Sequence, residues 1–164
     1  MSINEALLAE YDQEIAATRT LLQRVPAQEA DWQPHPKSMS LGDLAVHVAS
    51  LPSWAAATMT RPDLDISTHP HPARFTGVEA LLASFDESAA AGRAALAAAA
   101  DADFAVPWSL RSGDQVFFTL PRAVVLRSFV LSHLIHHRAQ LGVYLRLRDV
   151  PLPPCYGPTA DSPM

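Results

Sequence analysis

Cysteine is almost absent: Cys155 is the only one in 164 residues. An intrachain disulfide is therefore excluded, and a reducing compartment, the cytoplasm by default, is the expected location. Charge is scarce as well. Lys, Arg, Asp and Glu together make up 18% of the chain, below the roughly 25% of an average globular protein. The twelve basic residues form no run and the net charge is −5, so the dense positive surface that displaces counterions from nucleic acid is missing. Arg138, Arg146 and Arg148 do cluster, but near one helix end, where the helix dipole favours cations. Long apolar runs are missing too. The alanine-rich segment from Ala89 to Ala102 is interrupted by Gly92, Arg93 and Asp101, so no membrane span of about 18 residues is expected. The first residues, Met1-Ser2-Ile3-Asn4-Glu5, lack the basic-then-apolar order of a signal peptide.

What is abundant is apolar residue content, 49% of the chain. That suffices for one core, and the length suits a single domain over 1–164. So apolar a chain needs to hide surplus surface in a cleft or a partner subunit, which makes a homodimer the expected assembly.

The periodicity predicts helices. Ser2 and Glu5 have capping-box spacing, and Ile3, Leu7, Tyr11, Ile15, Thr18, Leu22 and Val25 follow at three- or four-residue steps on one face. Pro26 stops that helix. Ser40 and Asp43 open a second, with Leu41, Leu44, His47, Val48 and Leu51 in its apolar stripe and Pro52 set to kink or end it. The segment from Arg61 to Phe75 reads as a loop. Thr76 and Glu79 then cap a third helix carrying Leu81, Leu82, Phe85, Ala89 and Leu96, whose alanines let a neighbour approach closely. Between Asp103 and Thr119, aromatic and branched residues flank Ser112-Gly113-Asp114, which predicts an ordered loop or a short hairpin. Thr119 and Pro121 start a last helix reaching about Arg148, and the proline-rich tail from Pro151 is expected to be extended. The expected fold class is all-α, a four-helix bundle with a long loop or short hairpin before the last helix.

Histidines carry the chemistry. His133 and His137 are four residues apart, so on a helix they lie about 40° apart in azimuth and about 6 Å along the axis. Both rings can reach one ion. Their face also carries Leu126, Val130, Leu141 and Tyr144, which turns it toward the bundle. His47 lies in a core-facing stripe of another helix. A lone core histidine is ordinarily a hydrogen-bonded packing residue. Three packed imidazoles each leave a nitrogen in need of a partner, and one divalent metal ion, zinc or nickel first among candidates, satisfies all three. His136 is about 100° from His137 and should face a flank or solvent. His35, His69 and His71 stand beside prolines in loops and should be solvated.

Three stretches resemble the DinB-like family of helical metal-binding proteins: Trp32–Ser40 leading into Leu44-Ala45-Val46-His47; Leu131–Gln140, which is similar to an H-x3-H-R-x-Q signature; and Val150–Pro158, with its proline-and-YGP pattern. The resemblance covers nearly the whole chain. It implies a metal held by His47, His133 and His137 and, often, a homodimer. Because the family includes bacterial thiol-dependent transferases, it also implies a small-molecule substrate, a low-molecular-weight thiol passed to an electrophile. Hydrolysis by a metal-activated water and a non-catalytic, metal-stabilised dimer are the alternatives. Asp43 either orients His47 from behind or merely completes the cap with Ser40. Arg138 is expected in a structural ion pair. Cys155 has no adjacent basic group to make it a nucleophile.

Overall fold

The structure is a computed structural model describing residues 2–69 and 73–162. In chain order the elements are α1 (Ile3–Leu22), α2 (Leu41–Ser50), α3 (Ser53–Thr60), β1 (Asp63–Asp65), α4 (Val78–Ala98), β2 (Pro107–Ser112) and β3 (Gln115–Pro121). One continuous helical rod follows. It consists of α5 (Arg122–Val124), a π-helical stretch (Val125–Leu131) and α6 (Ser132–Leu147). α4 packs against α1, α2 and α3, while α6 packs against α1 and α2. Four rods thus surround one main core, with α3 prolonging α2 beyond the break. Among the described residues no helix is long and apolar enough to cross a membrane.

The expectation of a purely helical chain needs correction. β1, β2 and β3 form a three-stranded sheet in which β1 lies parallel to β2 and β3 antiparallel to it. The hairpin is the one marked by Ser112-Gly113-Asp114, with Gly113 at φ +55° where the turn needs a left-handed residue. β1 lies within the segment read as a loop. Three residues are too few to show a two-residue period. Asp63-Leu64-Asp65 becomes a strand because β2 pairs with it and because Arg111 bridges to both aspartates, at 3.2 and 2.6 Å. Where the register slips after Leu110, Phe117 is left unpaired and exposed while Phe118 stays opposite Leu110.

Local signals mostly hold. Ser2 N–H donates to the Glu5 carboxylate at 2.8 Å. Ser40 Oγ accepts from Asp43 N–H at 3.1 Å. Pro52 separates α2 from α3. The expected Thr76 cap is not formed: Gly77, at φ +145°, occupies the cap position and α4 begins at Val78. The alanine-rich face of α4 does admit its neighbours closely. A Cβ on Gly92 would lie 2.4 Å from Tyr11 Oη and 2.9 Å from the Pro52 carbonyl. In the last rod, Val125, Leu126, Val130 and Leu131 are buried. Their five-residue step is one that π-helical winding brings to a single face.

The main core joins Leu22, Leu41, Leu44, Val48, Leu51, Phe85, Leu134 and Leu141 among others, each contributing about 1.5–3 kcal/mol if fully buried. One ionic group lies among them. Glu14 of α1 and Arg138 of α6 are 4% and 3% exposed and pair at 2.6 Å. Arg138 also donates to the Glu14 carbonyl, to Thr18 Oγ1 and to the Tyr156 hydroxyl, which in turn donates to Glu14 Oε2 at 2.8 Å. Arg138 thus has the structural ion pair expected of it. The tail is folded back rather than extended free of the bundle: Asp161 bridges to Arg146 and accepts from Leu152 N–H. Removing one partner of such a buried pair strands the other charge. Glu14→Ala is therefore expected to cost about 3–5 kcal/mol in urea denaturation, with faster hydrogen exchange around Tyr156 as the local readout.

Candidate metal centre

His47 comes from α2, His133 and His137 from α6. The fully buried stripe of α6 is Leu134, Arg138, Leu141 and Leu145, so the two histidines sit one position to its side. All three imidazoles are half-buried. They lie at the rim of the core rather than deep in the bundle, where the sequence reading had placed them. At the rim all three side chains remain partly exposed to solvent.

The Nε2 atoms of His47 and His133 are 3.4 Å apart. Two nitrogens at the corners of a tetrahedron about 2.0–2.1 Å from a central zinc would be about 3.4 Å apart. Ring centroids are separated by 5.2 Å (His47–His133), 4.5 Å (His47–His137) and 4.7 Å (His133–His137). One nitrogen from each ring lies within 4.8 Å of the other two. The donor set therefore fits a divalent cation held by three nitrogens. His133 Nδ1 is buried without a hydrogen-bond partner, so this ring already bears one uncompensated polar atom. Its Nε2 is paired with His47 Nε2, and it is this pair of nitrogens that an ion between the rings would share.

Protonation is arranged for binding. Burial, followed by the neighbouring His137 and His47, pushes His133 down to about 4. Burial also lowers His47 and His137, the latter partly restored by Gln140. At neutral pH all three rings are uncharged donors. His137 Nδ1 faces Gln140 Oε1 at 2.7 Å. An amide oxygen only accepts, so Nδ1 carries the proton and Nε2 keeps its lone pair free.

Asp43 does not support His47: it is exposed, and its backbone N–H serves the Ser40 cap. His136 is exposed beside His137, as expected. His35 is exposed, but His69 is half-buried against Trp54, with centroids 6.4 Å apart. His71 lies outside the described residues. Cys155 is exposed, and partial burial raises its thiol above the ordinary range, which suits an inert thiol. Gln140 closes the H-x3-H-R-x-Q stretch marked in the sequence, and its contact with His137 is what the structure adds. The aromatic neighbours of His133 were missed in the sequence. The rings of Trp54 and Phe129 beside His133, at 6.1 and 5.5 Å, could be found only in part, since Phe129 alone has helical spacing to it.

The structure is thus a helical bundle carrying three histidines close enough together that they could hold one metal ion. The model of the DinB superfamily matches residues 10–141, and the chain belongs to that superfamily. Two solved structures share the fold. A DinB-like protein from Bacillus cereus has a TM-score of 0.72 at 21% identity, covering 93% of this chain and 97% of its own. A DinB-like protein from Bacillus subtilis, YjoA, has 0.68 at 15%, covering 88% and 92%. No curated protein matches the chain.

Two outcomes follow. Gln140→Ala is expected to weaken metal binding about 10–100-fold, the usual cost of losing a group that orients a ligand, read by titration calorimetry. The second concerns pH. A histidine whose folded pKa lies below its unfolded value binds fewer protons folded than unfolded. The metal-free protein should therefore keep this contribution above about pH 6.5 and lose it progressively as pH falls toward about 4, the window set by His133. Denaturation midpoints across that range test this, and His133→Ala should flatten the dependence.

Proposed function

We propose that this protein binds one divalent metal ion, zinc or nickel, through His47, His133 and His137, and uses it to transfer a small thiol to an electrophilic substrate. The observation that carries the reading is the composition of the cluster. Among the described residues it holds three histidines and no carboxylate or thiolate as a fourth ligand. A structural site is ordinarily closed by four protein ligands, whereas three leave a position for an exogenous group. A divalent cation there would act as a Lewis acid that lowers the pKa of a thiol brought to it.

The chain's own residues supply the rest. His47, His133 and His137, neutral at physiological pH through burial, present nitrogen donors without prior loss of a proton. Gln140 holds the His137 proton at Nδ1. The Glu14–Arg138 pair fixes the rotation of α6 that points both its histidines toward α2. The open rim admits a low-molecular-weight thiol from solvent. A homodimer belongs to the same reading, with Val143 and Leu147 exposed one turn apart on α6 as apolar surface available for it.

Elemental analysis of untagged protein, then a conjugation assay with cysteine as thiol and an aryl halide as electrophile, tests the proposal. His137→Ala should lose bound metal and transfer together while keeping its helical circular dichroism. Wild-type protein that takes up neither zinc nor nickel would overturn the metal reading, and metal-loaded protein without thiol-dependent turnover would overturn the reaction.

A further inference from the structure

His133 has the other two histidines as neighbours, and two aromatic rings as well. Phe129, one turn earlier on the same rod, has its ring centroid 5.5 Å from that of His133, and Trp54 of α3 stands at 6.1 Å. The two rings are 5.0 Å from each other at 39°. Phe118 of β3 extends the row, 5.2 Å from Phe129. Trp54 and Phe129, 75 residues apart in sequence, thus meet beside one imidazole, with Phe118 behind Phe129. Trp54, Phe118 and Phe129 all remain half-buried, although each packs against the small core of Leu64, Trp108, Leu110 and Val125. Neither cation–aromatic contact among the described residues involves them: Arg148 sits on Trp32 and Arg138 on Tyr156. Their ring faces are not taken by a guanidinium.

The winding of the last rod accounts for part of this placement. Val125–Leu131 is π-helical, and Ser132 Oγ bonds back to the Arg127 carbonyl five residues earlier at 2.9 Å. A wide turn directly before His133 seats Val125 in the sheet core, where it is fully buried, and leaves Phe129 on the histidine side. π-helical turns inside longer helices recur at functional sites.

We infer that Trp54 and Phe129 form an aromatic platform that selects a substrate with a flat, uncharged, conjugated ring next to its reacting atom. The inference rests on the metal reading above and adds the substrate class. A planar ring stacked there gains offset or edge-to-face contacts that a saturated group of equal size does not. It also brings its attached donor or electrophilic atom to the open side of the cluster. Phe118 lengthens the platform on the side away from the histidines.

The test has two arms. In the first, zinc-loaded protein is titrated with benzohydroxamate and acetohydroxamate, which share one chelating head. The aromatic ligand should bind about tenfold more tightly. Trp54→Leu and Phe129→Leu should each bring the two within about threefold while leaving acetohydroxamate affinity unchanged. In the second, metal-free protein is titrated with phenol and with cyclohexanol while the Trp54 indole N–H resonance is followed. Phenol should move it saturably and cyclohexanol should not. Zinc uptake with equal hydroxamate affinities overturns the platform and leaves the metal reading standing. A saturable phenol shift without zinc uptake does the reverse. An unmoved indole resonance shows that the rings only cover the sheet core, and overturns the proposal.

Discussion

The buried pair between Glu14 and Arg138 is the constraint on which the rest of this structure depends. Two charges among leucines are not there for net stability, since desolvation consumes most of what their attraction returns. What the pair does is directional. With α6 rotated as it is about its axis, Arg138 reaches Glu14, the Thr18 hydroxyl and Tyr156 together. That rotation places Leu134, Leu141 and Leu145 in the core and leaves His133 and His137 at its rim, facing His47. The same carboxylate accepts from the Tyr156 hydroxyl, so the tail is tied to the pair that holds α6 against α1.

A second order follows from the rim position. Histidines deep in the core would have lowered pKa values but no access; fully exposed ones would have access but be protonated in part near neutrality. Half-burial gives lowered pKa values and partial solvent exposure together. The sheet contributes to this balance from outside the bundle. Its small core supports Trp54, Phe118 and Phe129, and so walls one side of the cluster with aromatic surface.

Much of the site was legible because its parts are local. The four-residue step between His133 and His137 and the apolar stripe around His47 each lie within one helix, where periodicity reports direction. Gln140 was legible in the same way, although its role emerged only with its oxygen 2.7 Å from the His137 ring. Asp43 shows the limit of such reasoning. Its spacing from His47 suited a supporting carboxylate and its spacing from Ser40 suited a cap, and in the structure only its backbone N–H takes part, bonded to Ser40 Oγ. β1 was illegible because a three-residue strand owes its existence to β2 and Arg111, about 45 residues away in sequence.

By itself, then, the amino-acid order determined the four helical rods, the hairpin turn at Gly113, the break at Pro52 and the three histidines, because capping, proline geometry and helical period act over a few residues. Tertiary structure alone decided that Glu14 is the partner of Arg138, that the tail folds back onto α6, that β1 completes a sheet, and that Trp54 and Phe129 meet beside His133. Each of these joins residues whose separation in sequence says nothing about their separation in space, and each is fixed by burial or by the need of a buried charge for a partner.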